Sequence, residues 1–126
     1  MKIILLVALG GALGSVARYL VGKVSMLLWG ADFPWGTLIV NVVGCFIMGV
    51  LAGLLAHYTE FSQEVRSFLL IGVLGGFTTF SAFALDIVTL YQRGSLMTAG
   101  LYLLASVVVS ILALFGGLLL VRNLVS

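Results

Sequence analysis

Four apolar stretches, each long enough to cross a membrane and joined by connectors of a few residues, leave this chain little choice but a helical bundle in a bilayer. They run from Ile3 to Leu28, Gly36 to Tyr58, Val65 to Tyr91 and Leu96 to Val121. Crossing about 30 Å of hydrocarbon takes roughly 20 helical residues. The connectors, Trp29 to Trp35, Thr59 to Glu64 and Gln92 to Ser95, have no room for a water-soluble domain. Of the 126 residues 63% are hydrophobic and only 8% charged, where an ordinary soluble domain has roughly a quarter charged. Too little polar surface remains to face water on all sides. The expectation is one all-α transmembrane domain spanning residues 1–126. Met1 and Lys2 followed by Ile3 to Leu9 resemble a secretory leader, but the apolar pattern continues through Tyr19, Leu20 and Val21, which favours a retained first helix.

The third stretch contains a conflict. Gly72-Val-Leu-Gly-Gly-Phe-Thr-Thr-Phe-Ser-Ala-Phe-Ala-Leu-Asp86 sets adjacent glycines before adjacent threonines in mid-span. Glycine costs backbone entropy in a helix, and threonine hydroxyls compete for backbone partners. The third helix is therefore expected to break near its middle. Broken backbone survives in hydrocarbon only where protein buries it or where it lines a wet cavity. A break carrying Thr78, Thr79, Phe80, Ser81 and Phe83 reads as the lining of an ion or substrate path.

Several function classes fall away. Cys45 is the single cysteine, so neither an internal disulfide nor a cysteine metal motif is available. The six basic residues are scattered, which argues against nucleic acid as a partner. His57 lies at a helix end without a partnered nucleophile, so an enzyme is not expected. The basic residues also divide evenly: with four spans, Lys2, Arg66 and Arg122 fall on one face and Arg18, Lys23 and Arg93 on the other. Orientation follows the side richer in Lys and Arg, and here neither side is richer. The expected outcome is dual topology, with subunits pairing upside down as an antiparallel homodimer in the lipid bilayer. Small residues at four-residue spacing offer close-packing faces: Gly10 with Gly14, Cys45 with Gly49 and Gly53, Gly72 with Gly76.

Polar residues recur where they are expensive. Thr37, Asn41 and Cys45 share one face of the second span, and Tyr102, Ser106 and Ser110 share one face of the fourth. No carboxylate lies near the centre of a span; Asp32, Glu60 and Glu64 are in connectors and Asp86 is toward the end of the third helix. Neutral donors beyond Arg18, with Lys23 near the same helix end, describe a route for a small anion. Phe80 and Phe83 fit that route, because an aromatic ring presents a positive edge. The alternative is a small multidrug or cation exporter of dual topology. Such an exporter needs an intramembrane carboxylate, and the first span has none. A structural subunit without transport leaves the in-register hydroxyls unexplained.

Three segments in order carry a resemblance: Gly10-Gly-Ala-Leu-Gly-Ser-Val-Ala-Arg18-Tyr, Gly36-Thr-Leu-Ile-Val-Asn41-Val-Val-Gly44-Cys-Phe, and Gly75-Gly-Phe-Thr-Thr-Phe80-Ser-Ala-Phe83. Over essentially its whole length the chain resembles the small fluoride channels called Fluc or CrcB. The resemblance implies passive, fluoride-selective export across the bacterial inner membrane, conferring fluoride resistance through two pores in an antiparallel homodimer. It implies Asn41 as a pore donor, Phe80 and Phe83 as ring edges flanking fluoride, and Thr37, Tyr102, Ser106 and Ser110 as a hydroxyl track. The carbonyls of Gly75 and Thr78 would surround a central sodium ion, and Arg18 would sit in an aqueous vestibule. Two positions depart from the family pattern: Ala82 stands where a second hydroxyl follows Ser81, and Asp86 replaces a glutamate.

Overall fold

The computed structural model describes residues 1–58 and 60–125. Helix α1 covers Lys2–Trp29 and α2 covers Trp35–His57. Helix α3 is composite: an α-helical turn at Gln63–Arg66, a π-helical stretch at Ser67–Val73 and a second α-helical turn at Leu74–Phe77. After a break, α4 runs Ser81–Gln92 and α5 runs Leu96–Val125. The four expected spans are all present, the third of them, Gln63–Gln92, interrupted close to its centre. It starts two residues before the expected Val65, because the Ser62 hydroxyl accepts the Val65 N–H at 3.2 Å and caps the helix. Residue 59 of the expected second connector lies outside the described residues.

Glycine decides which helices meet. Along α1, a Cβ on Gly14 would overlap the Val73 carbonyl, and one on Gly10 would stand 2.7 Å from the Phe68 carbonyl. From the other side, a Cβ on Gly76 would stand 2.7 Å from the Gly11 carbonyl. The two expected small-residue faces, Gly10 with Gly14 and Gly72 with Gly76, therefore pack backbone to backbone. A second close pair joins α2 to α5, where Gly49 abuts the Leu114 carbonyl and Gly117 abuts the Phe46 carbonyl. Hydrocarbon gives no hydrophobic drive between helices, so dispersion at such short range and backbone approach hold the pairs together. The π-helical stretch packs against α1.

At one end of the bundle the α1–α2 connector folds inward. Phe33 stacks edge-on against Tyr102 with ring centroids 5.4 Å apart, over a buried cluster of Phe83, Leu90, Ala99 and Tyr102. This cluster fixes α4 against α5 and sets the height of the break relative to the polar stripe on α5.

Candidate functional site

The break begins at Thr78, whose backbone is extended (φ −85°, ψ 161°). Its N–H and hydroxyl both donate to the Leu74 carbonyl, at 3.0 and 2.9 Å, which closes α3. Asn41 of α2 then takes over the next peptide unit. Its Oδ1 accepts the Thr79 N–H at 2.8 Å and its Nδ2 donates to the Thr79 carbonyl at 2.9 Å. The Thr79 hydroxyl accepts the Ala82 N–H at 3.2 Å, starting α4 in the manner of an N-cap. From α1, Arg18 Nε donates to the Gly76 carbonyl at 3.0 Å.

These bonds redirect the helical ladder in a definite way. In an uninterrupted helix the Thr79 N–H would serve the Gly75 carbonyl and the Ala82 N–H would serve the Thr78 carbonyl. Both N–H groups are engaged elsewhere. The carbonyls of Gly75 and Thr78 thereby lose their usual donors, and Gly75 lies on the exposed face of the chain. The resemblance singled out the same two carbonyls as cation ligands. Among the described residues no three His, Cys, Asp or Glu side chains cluster as a metal site.

Beside the break an open groove of about 460 Å³ is lined by Asn41, Thr78, Phe80, Phe83, Ser106 and Ser110. Among the described residues the Oγ atoms of Ser106 and Ser110 are buried and make no hydrogen bond of ordinary geometry, although the Tyr102 hydroxyl lies near the first and the Cys45 thiol near the second. Buried hydroxyls are almost always paired, so two unpaired in register on one helix face are a feature in need of an occupant. Cys45 is half-buried and lines the same groove. Phe80 and Phe83 meet edge to face with centroids 5.7 Å apart.

A second cavity of about 620 Å³ opens between α1, α2 and the break, lined by Arg18, Lys23, Thr37 and Thr79. Thr79 lines both spaces. The Asn41–Thr79 bridge therefore stands between a cavity carrying two basic side chains and a groove lined by hydroxyls and phenyl rings. The structure brings Asn41, Phe80, Phe83, Ser106, Ser110, Gly75 and Thr78 together at the groove and Thr37 and Arg18 at the second cavity. Tyr102 lies beneath Phe83, fully buried, and its hydroxyl donates to Asp86 Oδ2 at 3.0 Å. Ser81 is exposed at the start of α4, with its Oγ 3.5 Å from Thr79 Oγ1.

Sequence reasoning did not give Thr79 a separate role or pair Asp86 with Tyr102. A hydroxyl two residues ahead of α4, and three before the N–H it accepts, is a legible capping signal. The Asp86–Tyr102 contact has none, since it joins two helices whose relative rotation no local spacing encodes.

The CrcB-like protein family, described also as camphor resistance (CrcB), matches residues 5–118 of the chain. A fluoride-specific ion channel FluC of Agrobacterium fabrum is 60% identical over 121 residues, covering 96% of this chain and 97% of that protein. The protein of the same name from Rhodospirillum centenum is 54% identical and covers both chains completely. One from Rhizobium etli is 54% identical over 96% of this chain. With four membrane-spanning helices in place, this chain is a multi-pass bacterial membrane protein that belongs to the CrcB family.

Proposed function

We propose that the protein is a fluoride-selective channel of the bacterial inner membrane that lets cytoplasmic fluoride leave passively, two chains forming an antiparallel homodimer with two pores. The observation that carries this reading is the pair of buried, unpartnered hydroxyls of Ser106 and Ser110 facing a groove that Phe80 and Phe83 also line. Fluoride is small and tightly hydrated, so a path for it must replace water hydrogen bonds at close range. The Ser106 and Ser110 hydroxyls have donors to give. Asn41 carries two amide hydrogens and commits one to Thr79, leaving the other for a passing anion. Phenyl edges add positive potential without a fixed charge to trap the ion. The N-terminal end of α4 adds the positive pole of a half-helix at mid-membrane. Chloride, larger and less in need of close donors, fits this lining poorly.

Arg18 and Lys23 make the vestibule attractive to anions. Hydrogen fluoride crosses the bilayer as a neutral weak acid and ionises in a less acidic cytoplasm. A negative-inside potential then drives the anion out through an open path. No coupling carboxylate is needed. Asp86, the acid within the third span, is already bonded to Tyr102, which leaves the exporter alternative without its central residue.

Cover for the exposed break supports the homodimer. A carbonyl without its helical donor at mid-membrane is costly against lipid, and Gly75 is exposed in the single chain. The freed carbonyls of Gly75 and Thr78 suit a hard monovalent cation, and a pair from each subunit would hold a sodium ion at the two-fold axis. When bound, that ion supplies a fixed positive charge that joins the two breaks. Growth tests the function directly. Expression in a bacterium lacking its own fluoride exporter should restore growth in fluoride-containing medium, and an Asn41→Asp variant should not. A well-expressed wild type that leaves the host fluoride-sensitive would overturn the reading.

A further inference from the structure

We infer that Arg18 is a positioning residue for the central carbonyls, acting through the hydrogen bond its Nε makes to the Gly76 backbone; its charge is secondary. The inference rests on the channel reading above and adds a role for a residue that the resemblance places only in the vestibule.

Three observations carry it. First, the bond is made by Nε, the nitrogen nearest the aliphatic stem, at 3.0 Å, and not by the guanidinium tip. A side chain serving only as a vestibule charge has no need of an internal anchor. Second, the acceptor lies in the Gly75-Gly76 pair, the most deformable dipeptide in the span. Rotation of that pair swings the Gly75 carbonyl. Third, Asn41 fixes Thr79 on the downstream side and hydrogen-bonds to neither glycine. Asn41 and Arg18 thus hold the break at two points, Thr79 from α2 and Gly76 from α1. The Arg18 bond occupies the Gly76 carbonyl, while the carbonyls of Gly75 and Thr78 remain without their helical donors. Lys23 lines the same vestibule and supplies positive potential whether or not residue 18 is charged.

Side-chain geometry makes the claim separable from a charge effect. In glutamine, Nε2 is as many bonds from the backbone as Nε of arginine, so Arg18→Gln keeps a donor in place while removing the charge. Arg18→Lys keeps the charge but moves its donor one bond outward, onto a strongly hydrated ammonium that favours the vestibule water. The experiment purifies wild type, Arg18→Gln and Arg18→Lys and measures, for each, thermal unfolding against sodium concentration with potassium as the control cation. Amide hydrogen exchange across residues 75–82 and fluoride efflux from liposomes are read on the same preparations. Arg18→Gln should keep its half-maximal sodium concentration within about threefold of wild type, with wild-type exchange protection at the break. Arg18→Lys should need about tenfold more sodium and exchange faster, the size expected for losing a hydrogen bond to a charged donor. Any result in which the glutamine variant fails to outperform the lysine variant overturns the inference. Failure of the wild type to release fluoride would overturn the channel reading instead, and the hydrogen-exchange comparison would still decide the role of Arg18.

Discussion

Phe80 and Phe83 touch edge to face at 5.7 Å, yet Phe80 is 77% exposed and Phe83 only 5%. One ring projects into the groove; the other is wedged against Tyr102, whose centroid is 5.3 Å away. Replacing each by isoleucine should therefore have different consequences. Phe80→Ile should cost the protomer fold less than about 1 kcal/mol, as surface changes usually do, while removing the ring edge and most of the fluoride flux. Phe83→Ile should lose flux and also destabilise by about 1–3 kcal/mol, the usual cost of changing shape in a packed site. Thermal unfolding alongside liposome efflux distinguishes the two.

Ser106 and Ser110 give the opposite pattern. Among the described residues their hydroxyls make no hydrogen bond of ordinary geometry, so truncation removes a poorly satisfied group. Ser106→Ala and Ser110→Ala should leave the melting temperature unchanged or slightly raised, while fluoride efflux falls by about tenfold for loss of one donor. A drop in stability without a drop in flux would mean that the hydroxyls serve the fold and not the ion.

Asn41 joins both outcomes. Asn41→Ala strips the Thr79 N–H and carbonyl of their partners and should destabilise by about 1–3 kcal/mol for each group left unpaired. Asn41→Asp can still accept from the Thr79 N–H but cannot donate to the carbonyl, and it sets a negative charge between vestibule and groove. Its fluoride flux should fall below that of the alanine variant although it folds better.

Dual topology is testable through charge. Leu124 and Met97 lie near opposite ends of α5 and are 75% and 76% exposed. Leu124→Lys and Met97→Lys should each bias insertion one way. Expressed singly, each should yield little antiparallel dimer and little activity; expressed together, they should restore both. Equal activity of the single and paired expressions would rule out an obligate antiparallel pair.

Much of this architecture was legible because membrane helices are written in composition. The four spans follow from hydropathy, and the break follows from Gly75, Gly76, Thr78 and Thr79 standing together. The hydroxyl stripe of Tyr102, Ser106 and Ser110 follows from four-residue spacing, and all three are buried. Other features were not written locally. The π-helical stretch at Ser67–Val73 has no propensity signature of its own and accompanies the fit of α3 against the glycines of α1. The Arg18–Gly76 and Asn41–Thr79 bonds join residues 58 and 38 positions apart. Each depends on how one helix is rotated about its neighbour, which periodicity leaves open.

The most direct measurement of the central claim is ion efflux from liposomes containing the purified protein, with a potassium ionophore setting the potential and chloride as the comparison ion. The account expects fast fluoride release that follows the imposed potential, needs no proton gradient and leaves chloride behind. Folded protein that releases no fluoride, or that releases chloride equally well, would contradict it.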